Sequence, residues 1–121
     1  MKKTIIVADD EEAQRELVAE YFERHGFTVV ALANGAALRD ALDLYDDVVA
    51  IVTDNNMPLR TGLQVLREIH GDPRYAHIKR FLVSGVQGMT VGVLGAWAED
   101  AGARLFTKPV DLAQILKVLR S

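Results

Sequence analysis

Short runs of β-branched and aliphatic residues alternate along this chain with longer stretches whose apolar positions recur every three or four residues. Thr4–Ala8 is a near-continuous strand-like run, and a helical pattern follows over Glu11–His25, with Ala13, Leu17, Val18, Tyr21 and Phe22 in phase and Gly26 placed to end it. Phe27–Leu32 predicts a second strand. Asn34 is placed to cap a helix reaching about Asp46, with Ala37, Leu38, Ala41 and Leu42 inward. Val48–Thr53 predicts a third strand, Pro58 and Gly62 bracket a loop, and Leu63–His70 a helix whose inner face is Leu63, Leu66 and Ile69, stopped by Gly71-Asp72-Pro73. Arg80–Val83 is the fourth strand. Gly85, Gly88, Gly92 and Gly95 each lower helix propensity by about 1 kcal/mol relative to alanine, which predicts a long loop before a helix centred on Leu94–Ala101. Arg104–Thr107 is the fifth strand, and Asp111 caps a last helix with Leu112, Ile115, Leu116 and Leu119 inward.

Five strand–helix units in succession predict an α/β fold, a flavodoxin-like (βα)5 three-layer sandwich with helices on both faces of a parallel sheet. Right-handed crossovers leave few topologies, and the common order for five strands is 2-1-3-4-5. Ligands in such sheets bind beyond the carboxyl ends of the strands, where the order reverses between the first and third. Those ends carry the polar residues of this chain: Asp9-Asp10 after the first strand, Asp54 after the third, Ser84 after the fourth and Lys108-Pro109 after the fifth. Each has an ordinary explanation alone. Asp10 could cap the following helix, Asp54 could form a turn, Ser84 could start one and Lys108 could be solvated. Their coincidence at one edge, with no counterpart after the outer second strand, favours a common site.

Three carboxylates at close range repel, so at least one would hold a proton unless a cation intervenes. A hard divalent cation with oxygen ligands, Mg²⁺ or Mn²⁺, suits such a site. Asp10 and Asp54 are the expected direct ligands, with Asp9 closer to an outer position and the backbone carbonyl of Asn56 as a third protein ligand. Asp54 is also a candidate nucleophile toward a phosphoryl group. Lys108 would supply a point charge to a phosphate oxygen and Ser84 a hydroxyl. The Lys108–Pro109 bond can be cis at little cost.

Composition narrows the classes further. With 121 residues, one domain over 1–121 is expected, and half the residues are hydrophobic, enough for a core. A net charge of −3 provides no electrostatic footprint for nucleic acid or an anionic membrane. The absence of cysteine excludes disulfides and thiolate metal sites. The apolar run after Met1-Lys2-Lys3 stops at Asp9, too short for a signal-peptide core or a membrane span, so a cytoplasmic protein is expected.

Taken together, the motifs Asp9-Asp10, Asp54-Asn55-Asn56-Met57-Pro58 with Gly62, Ser84-Gly85 and Lys108-Pro109 resemble those of a response-regulator receiver domain of two-component signalling, and the likeness runs from Thr4 to the last helix. The resemblance implies that Asp54 is the phosphoacceptor, that Asp9 and Asp10 hold Mg²⁺, that Ser84 is the switch hydroxyl and that Lys108 contacts the phosphoryl group. It also implies a sensor histidine kinase or a histidine phosphotransfer protein as donor and a downstream protein target, without turnover catalysis. Two departures stand out. Receivers of this kind carry Tyr or Phe three residues before the lysine, where this chain has Leu105. Phe106 is one place later, on the opposite side of a pleated strand. We expect Phe106 in the core and Leu105 half-exposed. The glycine-rich segment Val86–Ala101 is longer and more apolar than the family pattern, so we expect it to be mobile and its ordering to carry the signal. A degenerate receiver used only for protein docking is an alternative. A phosphatase with an aspartyl-phosphate intermediate is less favoured, because it wants an acid where Asn56 stands. A flavin or nucleotide module comes last, because no Gly-rich loop follows the first strand.

Overall fold

Five parallel strands form one sheet in a computed structural model of the chain, which describes residues 3–121. They are β1 (Thr4–Ala8), β2 (Thr28–Leu32), β3 (Val48–Asp54), β4 (Lys79–Ser84) and β5 (Ala103–Thr107), in the order β2-β1-β3-β4-β5. Between and after them lie α1 (Glu12–Arg24), α2 (Gly35–Leu44), α3 (Gly62–Ile69), α4 (Met89–Asp100) and α5 (Leu112–Arg120), with a short 3₁₀ turn at Pro73–Tyr75. Strand alternation divides the core in two. Ile5, Val7, Val52, Phe81 and Val83 meet Val18 and Phe22 of α1 and Ile115 and Leu116 of α5. Ile6, Ala8, Ile51 and Leu82 meet α2, α3 and α4 on the other face. Strands such as Thr4–Ala8, buried at every position and apolar from Ile5 on, follow from covering both faces.

Caps account for most helix starts. Asn34 Oδ1 accepts from the Ala37 N–H (2.8 Å) and Asp111 Oδ1 from the Ala113 N–H (3.1 Å). Thr61 and Gln64 form a reciprocal capping box at the head of α3, a signal the hydrophobic pattern alone does not reveal. Leu17, expected inward, is 59% exposed; Val18 and Phe22 carry the packing of α1 instead.

The largest departure from expectation is α4. It starts at Met89, with only four residues between it and Ser84, and runs through Gly92 and Gly95 without a break. Tertiary packing outweighs propensity here: Leu94 and Ala98 are buried against the sheet, and Gly95 lies over the Leu105 side chain. Leu105 and Phe106 do face opposite ways. Leu105 packs on the α4 side, and Phe106 sits 5.8 Å from Phe81 on the other, each half-buried.

One buried cation lies at the amino end of the sheet, opposite the acidic residues. Arg80 is 7% exposed, donates to the carbonyls of Ala101 (3.2 Å) and Tyr75 (3.0 Å), and approaches His70 Nδ1 at 3.3 Å. These partners are the ends of α4, the 3₁₀ turn and α3, where unpaired carbonyls and the negative pole of each helix favour a cation. Burial lowers the guanidinium pKa from its ordinary value.

The head of α2 is keyed into the loop after β3. A side chain at Gly35 would overlap the Arg60 carbonyl, and the Gly35 N–H donates to the Pro58 carbonyl (3.3 Å). Gly35→Ala is expected to destabilise the fold by about 1–3 kcal/mol, as overpacking does. Gly92→Ala, whose new methyl group meets open space, is expected to stabilise it by about 0.5–1 kcal/mol through helix propensity. Urea unfolding of both variants checks the opposite signs.

Candidate functional site

The carboxyl ends of β1 and β3 are adjacent because the strand order reverses between them, and this places the acids together. Asp9, Asp10 and Asp54 each offer a carboxylate oxygen, and the three atoms lie within 4.8 Å of one another. Asp9 and Asp54 are buried, at 6% and 8% exposure, while Asp10 is open to solvent. That contrast suits a cation site: two carboxylates are fixed by the protein and one remains free to adjust. Asp10 does not cap α1. Asp9 Oδ1 accepts from the Glu11 N–H (3.0 Å), and no side chain caps the helix at Glu11. Arg15 donates to the Asp9 carbonyl (2.9 Å) and fixes the backbone of the acidic pair from one turn into α1.

Lys108 reaches the group from β5. Its Nζ donates to Asp54 Oδ2 at 3.2 Å, with the ammonium side chain part-exposed and the carboxylate almost covered. The Lys108 N–H donates to the Ser84 carbonyl (2.9 Å), and the Lys108–Pro109 peptide is cis. Ser84 is 3% exposed, and its Oγ accepts from the Val86 N–H (3.3 Å). The ends of β4 and β5 are therefore tied to each other. The Asn55 N–H donates to the Val83 carbonyl (3.0 Å), which ties β3 to β4.

Burial pushes the Asp54 carboxyl above the usual aspartate range, and the charge of Asp9 adds to this; the hydrogen bond and charge of Lys108 oppose it without cancelling it. Burial also pulls the Lys108 ammonium down, but its hydrogen bond to Asp54 and the charges of Asp54, Asp9 and Glu11 outweigh that, and the net direction is up. The pair is thus an unbalanced one. The cluster carries more acid than a single lysine neutralises, which is the condition under which a hard cation with oxygen ligands binds. The donor set is all oxygen, so it fits Mg²⁺ rather than a soft metal.

The loop between β3 and α3 is held by residues the strand-end pattern did not single out. Asn55 Oδ1 accepts from the Leu63 N–H (3.1 Å), and the Asn55 carbonyl accepts from the Gly62 N–H (3.0 Å), so the loop closes on the head of α3. Gly62 is required there, since a side chain would overlap the Asp54 carbonyl. An Asn directly after the acidic strand end, seven residues before a glycine, was the available signal. Met57 is buried in the α2–α4 side of the core and anchors the loop, while Leu59 adopts a left-handed φ of 73° with its side chain 78% exposed. Asn56 is exposed, and among the described residues no hydrogen bond engages its carbonyl, so that atom is free to serve a ligand.

Comparison with known proteins agrees with this geometry. Residues 5–120 match the family model for the response regulator receiver domain. The two-component response regulator ORR8 of Oryza sativa subsp. japonica is 32% identical over 118 residues, covering 96% of this chain and 94% of that protein. Response regulator PleD of Caulobacter vibrioides is 30% identical over the whole chain, which spans only 26% of it. Among solved structures, a response regulator receiver protein from Pseudomonas putida superposes with a TM-score of 0.84 at 26% identity, covering 99% of this chain and 97% of that one. With a match over nearly its full length and the acids, hydroxyl and lysine gathered at one sheet edge, the chain belongs to the response regulator receiver family.

Proposed function

We propose that Asp54 is the phosphoacceptor of this receiver, that Asp9, Asp10, Asp54 and the Asn56 carbonyl hold a Mg²⁺ ion, and that Lys108 and Ser84 read the bound phosphoryl group. One observation carries this: the Asp54 carboxylate is buried within reach of two other carboxylates on one side and of the Lys108 ammonium, 3.2 Å away, on the other. In the reaction an Asp54 oxygen attacks phosphorus, the bond from phosphorus to the donor's imidazole nitrogen breaks, and an acyl phosphate forms. A bound Mg²⁺ supplies positive charge to the phosphoryl oxygens. The protein's own part is to position the nucleophile and to hold the second positive charge on Lys108. The donor is a sensor histidine kinase or a histidine phosphotransfer protein, and the output is a conformational change read by a protein target in the cytoplasm. No helix among the described residues is long and apolar enough to cross a membrane. The chain exchanges its own phosphoryl group and is not a turnover enzyme.

The added group brings about −1.5 to −2 charges to the edge. Ser84 is positioned to follow that charge, because among the described residues its Oγ is held only by the Val86 N–H, in a short loop that leads directly into α4. The segment Val86–Ala101 is therefore the proposed response element. Its population shifts by the difference in contacts between the two states.

Three outcomes test the reading. Asp54→Asn is expected to abolish labelling by acetyl phosphate with Mg²⁺ present; undiminished labelling of that variant would remove the assignment. Beryllofluoride with Mg²⁺ is expected to raise amide-exchange protection across Val86–Ala101, and Lys108→Ala to retain Mg²⁺ binding while losing that response. Unchanged protection in the parent protein would leave docking without phosphorylation as the better description. The third outcome concerns pH. Because the folded state raises the Asp54 pKa, protonation helps folding below the unfolded-chain value of about 3.9, and that help is lost as pH rises through the raised value. Metal-free Asp54→Asn should therefore melt above the parent at neutral pH, by a margin that shrinks toward pH ~4, and Mg²⁺ should close the gap by stabilising the parent alone.

A further inference from the structure

α4 is held very differently at its two ends. Its first turn has no side-chain cap at Gly88 and leaves Met89, Thr90 and Gly92 exposed. Burial begins at Leu94 and is complete at Ala98 and Ala101. Beyond Asp100 only Ala101 and Gly102 separate the helix from β5. Gly102, with a φ of 71°, is the left-handed residue at which the chain leaves the helix.

Arg80 fixes the last turn, and the chemistry at the acidic rim makes no use of it. Its backbone lies in β4, paired with Ile51 of β3 on one side and Ala103 of β5 on the other. From there the guanidinium reaches the Ala101 carbonyl that ends α4, the Tyr75 carbonyl that ends the 3₁₀ turn, and His70 at the end of α3. Among the described residues no carboxylate pairs with it, and its Nε has no partner. An apolar side chain would avoid the cost of a buried cation without an anion, so burial alone does not account for an arginine here. Its geometry does. The planar guanidinium holds its donors in a rigid fork, so the acceptors it binds are fixed relative to one another and to the sheet. The turn after α4 is shaped around it: a Cβ added at Gly102 would come within 3.1 Å of both Arg80 Nη1 and His70 Nδ1.

We propose that Arg80 is the fixed pivot of α4: it pins the last turn to the sheet and to the ends of α3 and the 3₁₀ turn, and the helix opens and reorients from its Gly88 end. Sliding α4 along its axis, or lifting its last turn, would strip a charged donor of the Ala101 carbonyl, and a buried charge left short of partners is strongly unfavourable. Raising or unwinding the uncapped first turn breaks no such bond. A consequence for switching follows. A contact kept in both arrangements of α4 biases neither, so Arg80 determines where the helix moves and not how often. This consequence rests on Asp54 being the phosphoacceptor; the pivot itself does not. The response across Val86–Ala101 then becomes graded, greatest near Ser84 and fading toward Ala101.

Residue-resolved amide exchange of the full chain tests the pivot without metal. Protection is expected to rise along α4, by at least about tenfold from Val91–Val93 to Ala101 and Gly102. Arg80→Met, apolar and of similar length, should lower protection at Ala101 and Gly102 by at least about tenfold while the β1 and β3 amides keep theirs. Arg80→Lys should not restore it, because an ammonium lacks the rigid fork. The parent profile decides even where a variant does not fold: protection that is level along α4, or highest in its first turn, overturns the proposal. So does an Arg80→Met protein whose last turn stays as protected as the parent's. Beryllofluoride with Mg²⁺ tests the consequence. Its affinity for Arg80→Met is expected to stay within about twofold of the parent's, because the pinned contact is common to both arrangements. A larger change, or a response in the parent as large at Gly102 as at Met89–Val93, would show that the last turn moves and that Arg80 is no pivot. Absence of any response in the parent counts against Asp54 instead, and the metal-free profile still decides the pivot.

Discussion

The buried charge of Asp54 is the constraint on which the remaining site geometry rests. An ionised carboxylate that is 8% exposed, with Asp9 and Asp10 within reach, is unfavourable unless positive charge is brought to it. Lys108 does so from the far side of two intervening strand junctions, and it can only because β5, β4 and β3 end in register. The Lys108 N–H bonds to the Ser84 carbonyl, and the Asn55 N–H bonds to the Val83 carbonyl. The backbone ladder is thereby extended past the last strand residues, and the charged groups inherit its rigidity. A site meant to accept a mobile group is thus assembled on the least mobile part of the fold.

Much of this was legible from the order of residues. Runs such as Ile5–Ala8 and Val48–Val52 are apolar at every position because both sheet faces are covered, and that pattern leads to parallel strands and to the rim where the polar residues collect. Caps at Asn34 and Asp111 were equally visible. What was not legible depends on contacts across the fold. Leu17 has the right phase for the core but lies just beyond the width of the stripe that α1 buries. Asn55 and Gly62 look like ordinary turn residues until the loop is seen to close between them. For α4, local propensity pointed to a loop, whereas Leu94 and Ala98 pin a helix to the sheet and Gly95 lets it settle onto Leu105. Intrinsic preference is a weak guide where burial on one side is this complete.

Leu105 bears on how motion reaches the surface. A leucine there leaves no ring to swing between inner and outer positions, and it is held between the sheet and Gly95. Any rearrangement begun at Ser84 has a four-residue path into the first turn of α4, shorter than a route through β5. Gly88, with a φ of 65°, is the joint where that path meets the helix. The apolar outer face of α4 thus begins one residue from the point at which the loop ends.

Arg80 gives the molecule an electrical axis. Every helix in a parallel layer of this kind runs counter to its strands, so the five positive helix ends lie toward the acids and the negative ends toward the buried guanidinium. The aspartate cluster and the buried guanidinium each lie at the rim whose helix termini favour their charge, although α4 itself ends in Glu99 and Asp100. An approaching phosphorylated molecule therefore meets more than three aspartates: behind them stands an array of amide dipoles of the opposite sense, and at the far rim the arginine neutralises its other pole.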